Sequence, residues 1–493
     1  MLKSLSKSKY ISGQQCAKLL WFQSIGQKPP EEVDEGTKDR LKAGEDVGNY
    51  AKELFPGGVE IEFQDSRNEM IKDTNLAIKA GKPIYEATFM LNNTLIRADL
   101  LNETENGWDM YEVKSSSKIK PYHIEDASFQ WHLLSKTDEI TLNEAFVVTV
   151  NSDYLRDGPI DVNKLFTQTN ITNKVNERLN HLPEQIKKME CVINGSKEPN
   201  IPIGRHCTKP HPCQYKKLCW KDVNDNSVLN LYRMRSKQKF DLFDNGYKTF
   251  DDLPKDISLS ETQQKQVNTY LSNEPYIDTN KVSEFVNTIE YPISYFDFET
   301  FQDAVPRFDN QRPYMQMPFQ FSLHTQNKPL GKLKHFQYIA DHKIDPRTEI
   351  AEKLLEWIPP KGSIIAYNQS FEMNCIKELG RFNPQLSDQL LALNDRFIDL
   401  IIPFRKGYYY HPEFKGSFSI KKVLPALCPN DPSLNYNSLN IKGGGEASVT
   451  YKKFNDLTEV EIKSYRKDLF EYCELDTLAM VRILEQLIKL LSS

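Results

Sequence analysis

Three consecutive segments of the N-terminal half are rich in apolar residues and are separated by turn-forming pairs. This pattern is typical of strands joined by tight turns. The predicted strands are residues 84–90, 94–102 and 108–115. The turn formers Asn92-Asn93 and Asn106-Gly107 separate them, and a helix-like run at residues 124–134 follows directly. The first part of the chain is therefore predicted to hold a hairpin-linked sheet followed by a helix.

The C-terminal part predicts the order strand, strand, strand, helix, strand, helix. The four strands are residues 293–299, 318–325, 333–340 and 363–368. The first helix has Asp345 as N-cap and Pro346 at its first position. The last helix begins with a capping box from Thr458 to Glu461 and runs to about residue 491. Three meandering strands, then a helix, then a further strand are the order of an RNase H-like fold.

The residues between these two parts are polar and helical in pattern. Residues 240–253 have the pattern of a helical hairpin with Gly246 at the tight turn, which suits either a DNA-backbone contact or a plain spacer. The run Gly443-Gly444-Gly445 is too short for a linker and predicts a mobile loop. We expect an α/β protein with modules at 1–222 and 289–493, joined by a helical bridge at 223–288.

Composition narrows the class of protein. Of the 493 residues, 39% are hydrophobic and 27% are charged, which suits folded cores and about three domains. The mean hydropathy is -0.58, and no apolar run approaches the roughly 18 residues of a membrane-spanning helix. No export signal follows the N-terminal lysines, so we expect a soluble, cytoplasmic protein. A net charge of -5 argues against a globally basic nucleic-acid coat but permits a locally basic groove.

The first candidate site is the segment Glu112-Val113-Lys114. Glu112 and Lys114 share a face of the third strand, and Asp99 comes from the neighbouring strand. Two carboxylates at a strand end can hold Mg²⁺, which generates hydroxide and stabilises a phosphate in transfer. The lysine adds a positive charge beside the attacking water. The same pattern on a strand also occurs as an ordinary solvated face.

Together with Glu86 and Gln130, these residues resemble the RecB-type PD-(D/E)xK nucleases. The likeness is closest to members with an iron–sulphur cluster, such as the AddB nuclease domain and CRISPR-associated exonucleases. It implies a restriction-endonuclease-like module in which Glu86, Asp99 and Glu112 bind Mg²⁺ or Mn²⁺. Lys114 and Gln130 join Asp99 and Glu112 as catalytic residues.

One position departs from the RecB-type pattern. Such proteins commonly carry a histidine ligand in an early helix, in the setting Gly-x-x-Val-His. Here the stretch runs from Gly44 to Gly48, with Gly48 in the histidine position. Glu45 is the candidate that compensates for it.

The second candidate site is a cysteine cluster. Cys207, Cys213 and Cys219 fall within thirteen residues, and Cys16 is the early candidate for a fourth ligand. Four cysteines suit a [4Fe–4S] cluster, and the split of one plus three resembles the RecB-type cluster nucleases. A structural zinc site, with His206 or His211 as a further ligand, is the alternative.

The third candidate site is a set of four acidic residues. Asp297 and Glu299 share a face of one strand, while Glu372 follows another strand at the start of a helix. Tyr472 and Asp476 lie four apart on the last helix and point the same way. Converging carboxylates repel one another unless metal ions neutralise them, which is the requirement of two-metal phosphodiester hydrolysis.

These motifs resemble the DnaQ-like 3′–5′ exonucleases, whose signature is an acidic quartet. The resemblance implies catalytic and metal-binding roles for Asp297, Glu299, Glu372 and Asp476, with Tyr472 orienting the attacking water. The family's middle motif ends in aspartate, where this chain has Glu372. Asp399 is the alternative ligand, and it also suits a turn-stabilising role.

Over nearly its full length the chain resembles a bacterial family that joins a RecB-like iron–sulphur module to a DnaQ-like module. We therefore expect a metal-dependent nuclease that acts on nucleic acid, with DNA favoured over RNA. Two alternatives remain open: a binding or scaffold protein with degenerate nuclease sites, and an RNA-processing exonuclease. Four lysines flank the proposed sites and suit either phosphate contacts or a solvated surface: Lys118, Lys120, Lys421 and Lys422.

Overall fold

The chain folds into two α/β units, seen in a computed structural model that describes residues 3–31, 33–91 and 94–492. Unit 1 comprises residues 1–222 and 303–315, and unit 2 comprises residues 223–302 and 316–493. The expected turn at Asn92-Asn93 lies outside the described residues. None of the helices described is both long enough and apolar enough to cross a membrane.

Unit 1 is built on a seven-stranded sheet. Its strands are β1 (Leu5–Ser6), β2 (Val59–Glu60), β3 (Ile84–Leu91), β4 (Thr94–Thr104), β5 (Gly107–Lys114), β6 (Leu142–Val150) and β7 (Phe166–Asn170). The order is β2-β3-β4-β5-β6-β7, and β1 pairs with β4 outside that path. Strands β3, β4 and β5 form an antiparallel meander, whereas β5 and β6 run parallel.

The helices of unit 1 pack against both faces of this sheet. They are α1 (Lys7–Gln15), α2 (Ala17–Ser24), α3 (Glu35–Lys52), α4 (Arg67–Lys79), α5 (Pro121–Leu134), α6 (Val162–Leu165), α7 (Thr172–Leu179), α8 (Leu182–Asn194) and α9 (Lys216–Cys219). Helix α5 provides the crossover that the parallel pair β5 and β6 requires. Pro121 begins this helix, where its fixed φ already suits helical backbone. Packing of the buried side chains that extend to Leu134 then stabilises the helix.

The sheet of unit 1 separates two apolar clusters, so apolar side chains cover both of its faces. Met110 packs in one cluster and Tyr111 in the other. Residues two apart on a strand normally point to the same face of the sheet. Tyr85 and Ala87 instead belong to opposite clusters, so the alternation of side chains along β3 is interrupted at Glu86. Glu86 has φ 59°, in the left-handed region that non-glycine residues seldom adopt. This irregularity lies beside Asp99 and distorts the sheet at the first candidate site.

Unit 2 contains a five-stranded sheet and a small two-stranded one. Its strands are β8 (Tyr276–Ile277), β9 (Ile293–Phe301), β10 (Met317–Gln326), β11 (Leu333–Ile339), β12 (Ile364–Ala366), β13 (Phe397–Asp399) and β14 (Tyr409–Tyr410). The larger sheet has the order β11-β10-β9-β12-β13. Strands β9, β10 and β11 are antiparallel, and β12 and β13 run parallel to β9. Strand β13 was not predicted from the sequence.

The helices of unit 2 are α10 (Ser236–Asp244), α11 (Glu261–Ser272), α12 (Thr279–Val286), α13 (Arg347–Trp357), α14 (Ser370–Phe382), α15 (Ser387–Asn394), α16 (Ile402–Arg405), α17 (Ile420–Leu427), α18 (Gly444–Lys452) and α19 (Glu459–Ser492). The predicted capping box of α19 is confirmed, since Glu461 accepts from the Thr458 N–H at 2.9 Å. Phe296 and Phe298 lie in the core, as the alternation of β9 predicts.

Three local predictions in unit 2 were wrong in detail. The N-cap of α13 is Pro346 rather than Asp345, although Asp345 Oδ1 still accepts from the Arg347 N–H at 3.0 Å. The triple glycine does not form a loop, because Gly443 is the N-cap of α18. After the turn at Gly246, which has φ 95°, the chain forms a single 3₁₀ turn and not the second helix of a hairpin.

The sequence assigned residues 303–315 to the C-terminal module, but they belong to unit 1. Ala304 is buried in an apolar cluster of that unit, and Val305 packs against it. Arg156 donates to the carbonyl oxygens of Pro306 and Arg307 at 2.8 and 2.6 Å. Likewise, residues 223–288 belong to unit 2 and do not form a unit of their own. Neither assignment follows from local pattern, since both depend on contacts distant in sequence.

The buried face of helix α19 should contribute far more to the stability of unit 2 than its exposed face. Leu484 is 0% exposed and Val460, on the same helix, is 81% exposed. Leu484→Ala should lower the free energy of unfolding of unit 2 by about 2–5 kcal/mol, because the cavity adds to the lost burial. Val460→Ala should change it by less than about 0.5 kcal/mol. Urea denaturation followed by circular dichroism measures both, and equal effects would contradict the packing of α19.

Candidate functional site

The first candidate site in unit 1 is a buried cluster of charged side chains. The Glu112 side chain on β5 is almost fully buried. Its Oε1 accepts from Lys114 Nζ at 2.5 Å and from Lys7 Nζ at 2.7 Å. Its Oε2 accepts from Gln130 Nε2 at 2.6 Å. Helix α1 supplies Lys7 and α5 supplies Gln130, so three elements converge on one carboxylate.

Asp99 on β4 lies beside Glu112. Its Oδ2 accepts from the Val113 N–H at 2.8 Å, and its Oδ1 lies 3.3 Å from Lys7 Nζ. Asp126 on α5 completes the cluster, with Oδ2 2.6 Å from Lys114 Nζ and 3.8 Å from Lys7 Nζ. Three carboxylates therefore surround two ammonium groups.

The charges in this cluster compensate one another. Burial raises the pKa of Glu112, but Lys114 and Lys7 outweigh it and leave that pKa well below its ordinary value. Burial is the largest cause that raises the pKa of Asp99, and the Glu112 charge adds to it. The same two causes raise the pKa of Asp126 to about 7. Burial lowers the pKa of Lys7, but Asp99, Glu112 and Asp126 raise it well above its ordinary value. Glu112 is therefore the firmly ionised carboxylate of the site.

A cleft of about 710 Å³ opens beside this cluster. Lys7, Glu86, Asp99 and Lys114 line it, and so do Glu45 and Gly48 of α3. A Cβ placed on Gly48 would meet nothing within 4 Å, so the position where the RecB-type pattern has histidine faces open space. Glu86 Oε2 lies 3.5 Å from Arg97 Nε, and burial, followed by the Asp99 charge, raises the pKa of Glu86.

The sequence analysis missed Lys7 and Asp126. Asp126 could have been found from the sequence, because it precedes Gln130 by four residues and so lies on the same face of α5. Lys7 could not, since it is more than ninety residues from Asp99 and its place depends on the folded sheet.

The four predicted cysteines line one pocket of unit 1. Cys16 lies at the junction of α1 and α2, while Cys207, Cys213 and Cys219 come from the end of the unit. Burial raises the pKa of the Cys213 thiol, and the other three thiols raise it further. Tyr215 packs beside them, and His206 also lines the pocket. The thiol set and its neighbours fit a soft metal ion or cluster.

The third candidate site lies in unit 2. Asp297 and Glu299 alternate with the core phenylalanines along β9, so both carboxylates face away from that core. Glu372 lies in the first turn of α14, directly after β12, which is paired parallel to β9. Asp476 lies on α19, which packs on β9 and β10. The predicted quartet is thus assembled from β9, α14 and α19.

Burial raises the pKa of each carboxylate in this quartet, and neighbouring members of the quartet add to the rise at Asp297 and Glu299. Burial is the largest cause that raises the pKa of Asp297 well above its ordinary value, and the charges of Asp476, Glu299 and Glu372 add to it. Burial and the Asp476 charge likewise raise the pKa of Glu299, against the opposing charge of Lys421. Burial raises the pKa of Glu372 to about 8. Among the described residues, Lys421 is the cation whose charge opposes these rises, and it lowers the pKa of Glu299 and of Asp476.

Tyrosines and a lysine border the quartet. Tyr436 donates to Asp476 Oδ1 at 2.6 Å, and the hydrogen bonds of Tyr436 and Tyr472 oppose the rise that burial causes in the pKa of Asp476. Lys421 Nζ lies 5.1 and 5.3 Å from the centres of these two rings and donates to the Lys442 carbonyl. Of these residues, the sequence analysis missed Tyr436, which has no motif around it.

The start of α18 also approaches the quartet. A Cβ on Gly444 would lie 3.2 Å from Glu299 Oε2, which is tighter than ordinary contact, so a side chain at this position would have to shift the Glu299 carboxylate slightly. Cys473 lies 3.8 Å from Asp297 Oδ2, and the ligand atoms of Asp297, Glu299 and Cys473 all lie within 4.8 Å of one another.

Asp399, the alternative ligand, stabilises a turn. Its Oδ1 accepts from the N–H groups of Asn368 and Ile401 at 2.8 and 3.2 Å. Of the flanking lysines, Lys120 lies over the Tyr122 ring at 5.7 Å. Lys118 and Lys422 have no contact with either carboxylate cluster among the interactions described.

A further group was not expected from the sequence. His324 and His335 are directly opposite each other on β10 and β11, with their rings stacked at 4.3 Å. Their ligand atoms and that of Glu474 lie within 4.8 Å of one another. Thr477 contacts His324 at 2.8 Å and Ser322 contacts His335 at 2.9 Å, so the pair lies in a network of hydroxyl groups.

The two carboxylate clusters differ as metal sites. In unit 1 each oxygen of Asp99 and Glu112 accepts from a protein donor. In unit 2 the buried Glu372 Oε2 lacks a hydrogen-bond partner, and the quartet has one neighbouring lysine among the described residues. Oxygen donors with uncompensated charge fit Mg²⁺ or Mn²⁺. The donor set of unit 2 therefore fits divalent ions, and that of unit 1, as arranged, does not.

The proton on Glu372 should make unit 2 sensitive to pH. Its pKa of about 8 in the folded chain exceeds the ordinary 4.5, so the folded state retains a proton that the unfolded state releases. The free energy of unfolding should therefore fall as the pH rises from about 4.5 to 8, by up to about 1.4 kcal/mol per unit of pKa shift. In EDTA, Glu372→Gln should flatten this fall, as calorimetry at several pH values measures.

The matched control is Glu352→Gln, because Glu352 is exposed on α13. It should keep the pH profile of the unaltered protein. A Glu372→Gln profile identical to that of the control would show that Glu372 is already ionised in the folded state.

Three comparisons place the chain among known proteins. Residues 294–419, which include Asp297, Glu299 and Glu372 but not Asp476, match a domain of unknown function (DUF2779). The chain is 31% identical over 258 residues to the uncharacterized protein UU173 of Ureaplasma parvum, covering 48% of this chain and 36% of that protein. It is 29% identical over 205 residues to the uncharacterized MG366 homolog of Mycoplasma pneumoniae, covering 38% and 31%. The matches thus span about a third of these curated relatives. No solved structure matches the chain.

Proposed function

We propose that unit 2 is a metal-dependent phosphodiesterase that hydrolyses nucleic acid, as a 3′–5′ exonuclease of the DnaQ-like type. The observation that carries the proposal is the uncompensated quartet. Asp297, Glu299, Glu372 and Asp476 are collected at one place and their pKa values are all raised. Glu372 Oε2 has no hydrogen-bond partner among the residues that the structure describes. A folded protein keeps such an arrangement where bound cations neutralise it.

The topology of unit 2 supports the same proposal. Its sheet order β11-β10-β9-β12-β13 joins an antiparallel meander to two parallel strands, which is the connectivity expected of an RNase H-like module. In open α/β sheets, ligands bind outside the carboxyl ends of strands where the strand order reverses. Glu372 follows β12 directly, next to the central strand β9, and so lies at such a point.

The residues of the site fall into metal ligands and supporting groups in this proposal. Asp297, Glu299, Glu372 and Asp476 would hold divalent ions, whose chemistry would be to activate water and to stabilise the charge on the phosphate. Tyr436 fixes the orientation of Asp476 through its 2.6 Å hydrogen bond. Tyr472 orients the attacking water, and Lys421 attracts the phosphate backbone through its positive charge.

For unit 1 we propose a restriction-endonuclease-like module that carries a [4Fe–4S] cluster. The meander β3-β4-β5, the crossover helix α5 and the parallel strand β6 are the elements that such a module needs. One pocket lined by Cys16, Cys207, Cys213 and Cys219 supports the cluster. The hydrogen-bonded oxygens of Asp99 and Glu112 favour a role of this unit in holding nucleic acid over a second hydrolytic site.

The hydrolysis proposal predicts the effect of removing Asp297. End-labelled single- and double-stranded DNA and RNA are incubated with the full chain and Mg²⁺, Mn²⁺ or EDTA. The unaltered protein should shorten DNA from its 3′ end, and EDTA should stop it. Asp297→Asn should slow trimming about a thousandfold, because removing this carboxylate would weaken metal binding and so cost several kcal/mol of transition-state stabilisation.

Asp395→Asn is the matched control, since Asp395 is an exposed aspartate of the same unit. It should trim at the unaltered rate. Trimming that survives Asp297→Asn but is lost in Lys114→Ala would assign hydrolysis to unit 1. Trimming of RNA alone would identify an RNA-processing exonuclease, and intact substrates under every condition would leave a nucleic-acid-binding protein.

The cluster proposal predicts the metal content of unit 1. Protein purified without oxygen should be brown and contain iron. Cys213→Ala should lose the colour and melt at a lower temperature, because a ligand to the cluster is removed. Cys191→Ala should remain brown, since Cys191 is exposed and does not line the pocket. A colourless protein that holds one zinc ion would show the alternative site.

A further inference from the structure

We infer that Lys7 takes the place of a divalent cation in the carboxylate cluster of unit 1, so that this site is neutralised by the chain itself. Lys7 Nζ lies 2.7 Å from Glu112, 3.3 Å from Asp99 and 3.8 Å from Asp126. These three carboxylates come from β4, β5 and α5. The ammonium group thus occupies the point on which the acidic side chains converge.

Lys7 is held in this position by its own segment of the chain. Leu5 and Ser6 form β1, which pairs with Thr94 and Leu95 of β4, the strand that carries Asp99. Ser6 then caps α1 by accepting from the Lys9 N–H at 3.4 Å. The backbone of Lys7 is therefore fixed between a paired strand and a capped helix.

The next turn of α1 strengthens this placement. Tyr10, three residues after Lys7 and on the same face of the helix, is fully buried. Its ring stacks on Phe129 of α5 at 4.3 Å, and its hydroxyl donates to Gln185 at 2.9 Å. Helix α1 thus packs on the helix that carries Asp126 and Gln130, which aligns Lys7 with the cluster.

The ammonium group and a divalent ion would use the same oxygens. Glu112 Oε1 already accepts from Lys7 and Lys114, Oε2 accepts from Gln130, and Asp99 Oδ1 faces Lys7. A divalent ion requires direct oxygen ligands at about 2.0–2.6 Å. It would have to displace Lys7, and the like charges would repel each other at that distance. Lys7 should therefore exclude the ion.

The inference concerns unit 1 and does not depend on hydrolysis by unit 2. It is tested by Mn²⁺ binding, followed through the spin-resonance signal of free Mn²⁺. The full chain carries Asp297→Ala and Asp476→Ala, which removes the carboxylate ligands of unit 2. On this background, Lys7→Ala and the neutral, similarly shaped Lys7→Gln should raise the affinity for Mn²⁺ by at least about tenfold, because a unit charge beside the ion is removed.

Two further variants locate the effect. Lys9→Ala is the matched control: Lys9 lies on the same helix, but its Nζ donates to the Ser4 carbonyl at 3.0 Å and not to the cluster. It should bind Mn²⁺ no better than the background protein. Adding Asp99→Asn to Lys7→Gln should remove the gained site.

Equal Mn²⁺ affinity with and without Lys7 would overturn the inference, as would a gained site that survives Asp99→Asn. Melting curves establish that each variant is folded. If Lys7→Ala does not fold, Lys7→Gln decides by the same criterion. If neither folds, Lys7 serves unit 1 as a structural ion pair and the inference is likewise overturned. Loss of the proposed function would be seen separately, as absent Asp297-dependent trimming.

Discussion

Buried carboxylates need a counter-charge, and the two units of this chain meet that requirement differently. In unit 1, Glu112 is almost completely buried yet ionised, because Lys114 and Lys7 lie within 2.7 Å of it. In unit 2, burial raises the pKa of every member of the quartet, and the neighbouring carboxylates raise those of Asp297 and Glu299 further. Lys421 opposes the rise at Glu299 and Asp476 only in part. A buried charge without a partner is costly. The first cluster is therefore complete without an added ion, whereas the second fits added cations.

The secondary structure of each unit explains how these groups come together. In unit 1 the short strand β1 joins the sheet at β4 and passes directly into α1, so it brings Lys7 to the carboxylates. The same N-terminal region continues to Cys16, which shares a pocket with Cys213 near the end of the unit. A bound cluster there would stabilise both ends of unit 1 at once. In unit 2 the long helix α19 lies across β9 and β10 and brings Asp476 to Asp297.

An unusual backbone angle and a close backbone approach occur beside these charges. Glu86 has a positive φ beside Asp99, and Gly444 approaches Glu299 so closely that any side chain would crowd the carboxylate. Non-glycine residues with such backbone angles persist where the surrounding structure holds them. Gly48, by contrast, leaves open space in the cleft of unit 1. The region around each cluster is thus shaped by backbone geometry as well as by charge.

Much of the architecture follows from local pattern. The sequence predicted β3, β4, β5, β9 and β10 within a few residues, because each is an apolar-rich segment long enough to be recognised as a strand. Short elements such as β13 were missed, since three residues carry too little periodicity to distinguish a strand from a turn. The Gly443–Gly445 run was misjudged because a glycine-rich sequence disfavours a helix, yet Gly444 is accommodated where α18 approaches Glu299.

The candidate sites were likewise predicted only in part from the sequence. The sequence by itself determined that Asp297 and Glu299 share a strand face and that Tyr472 and Asp476 share a helix face, because spacing within one element fixes a common face. The resemblance to known motifs predicted Glu372 as their partner and paired Asp99 with Glu112. Only the tertiary structure decided that Lys7 and Tyr436 contact these carboxylates, and that residues 303–315 belong to unit 1. Contacts between residues distant in sequence depend on how whole elements pack, and no local pattern encodes them. The charge balance of each cluster, and hence its capacity for metal ions, was decided by those contacts.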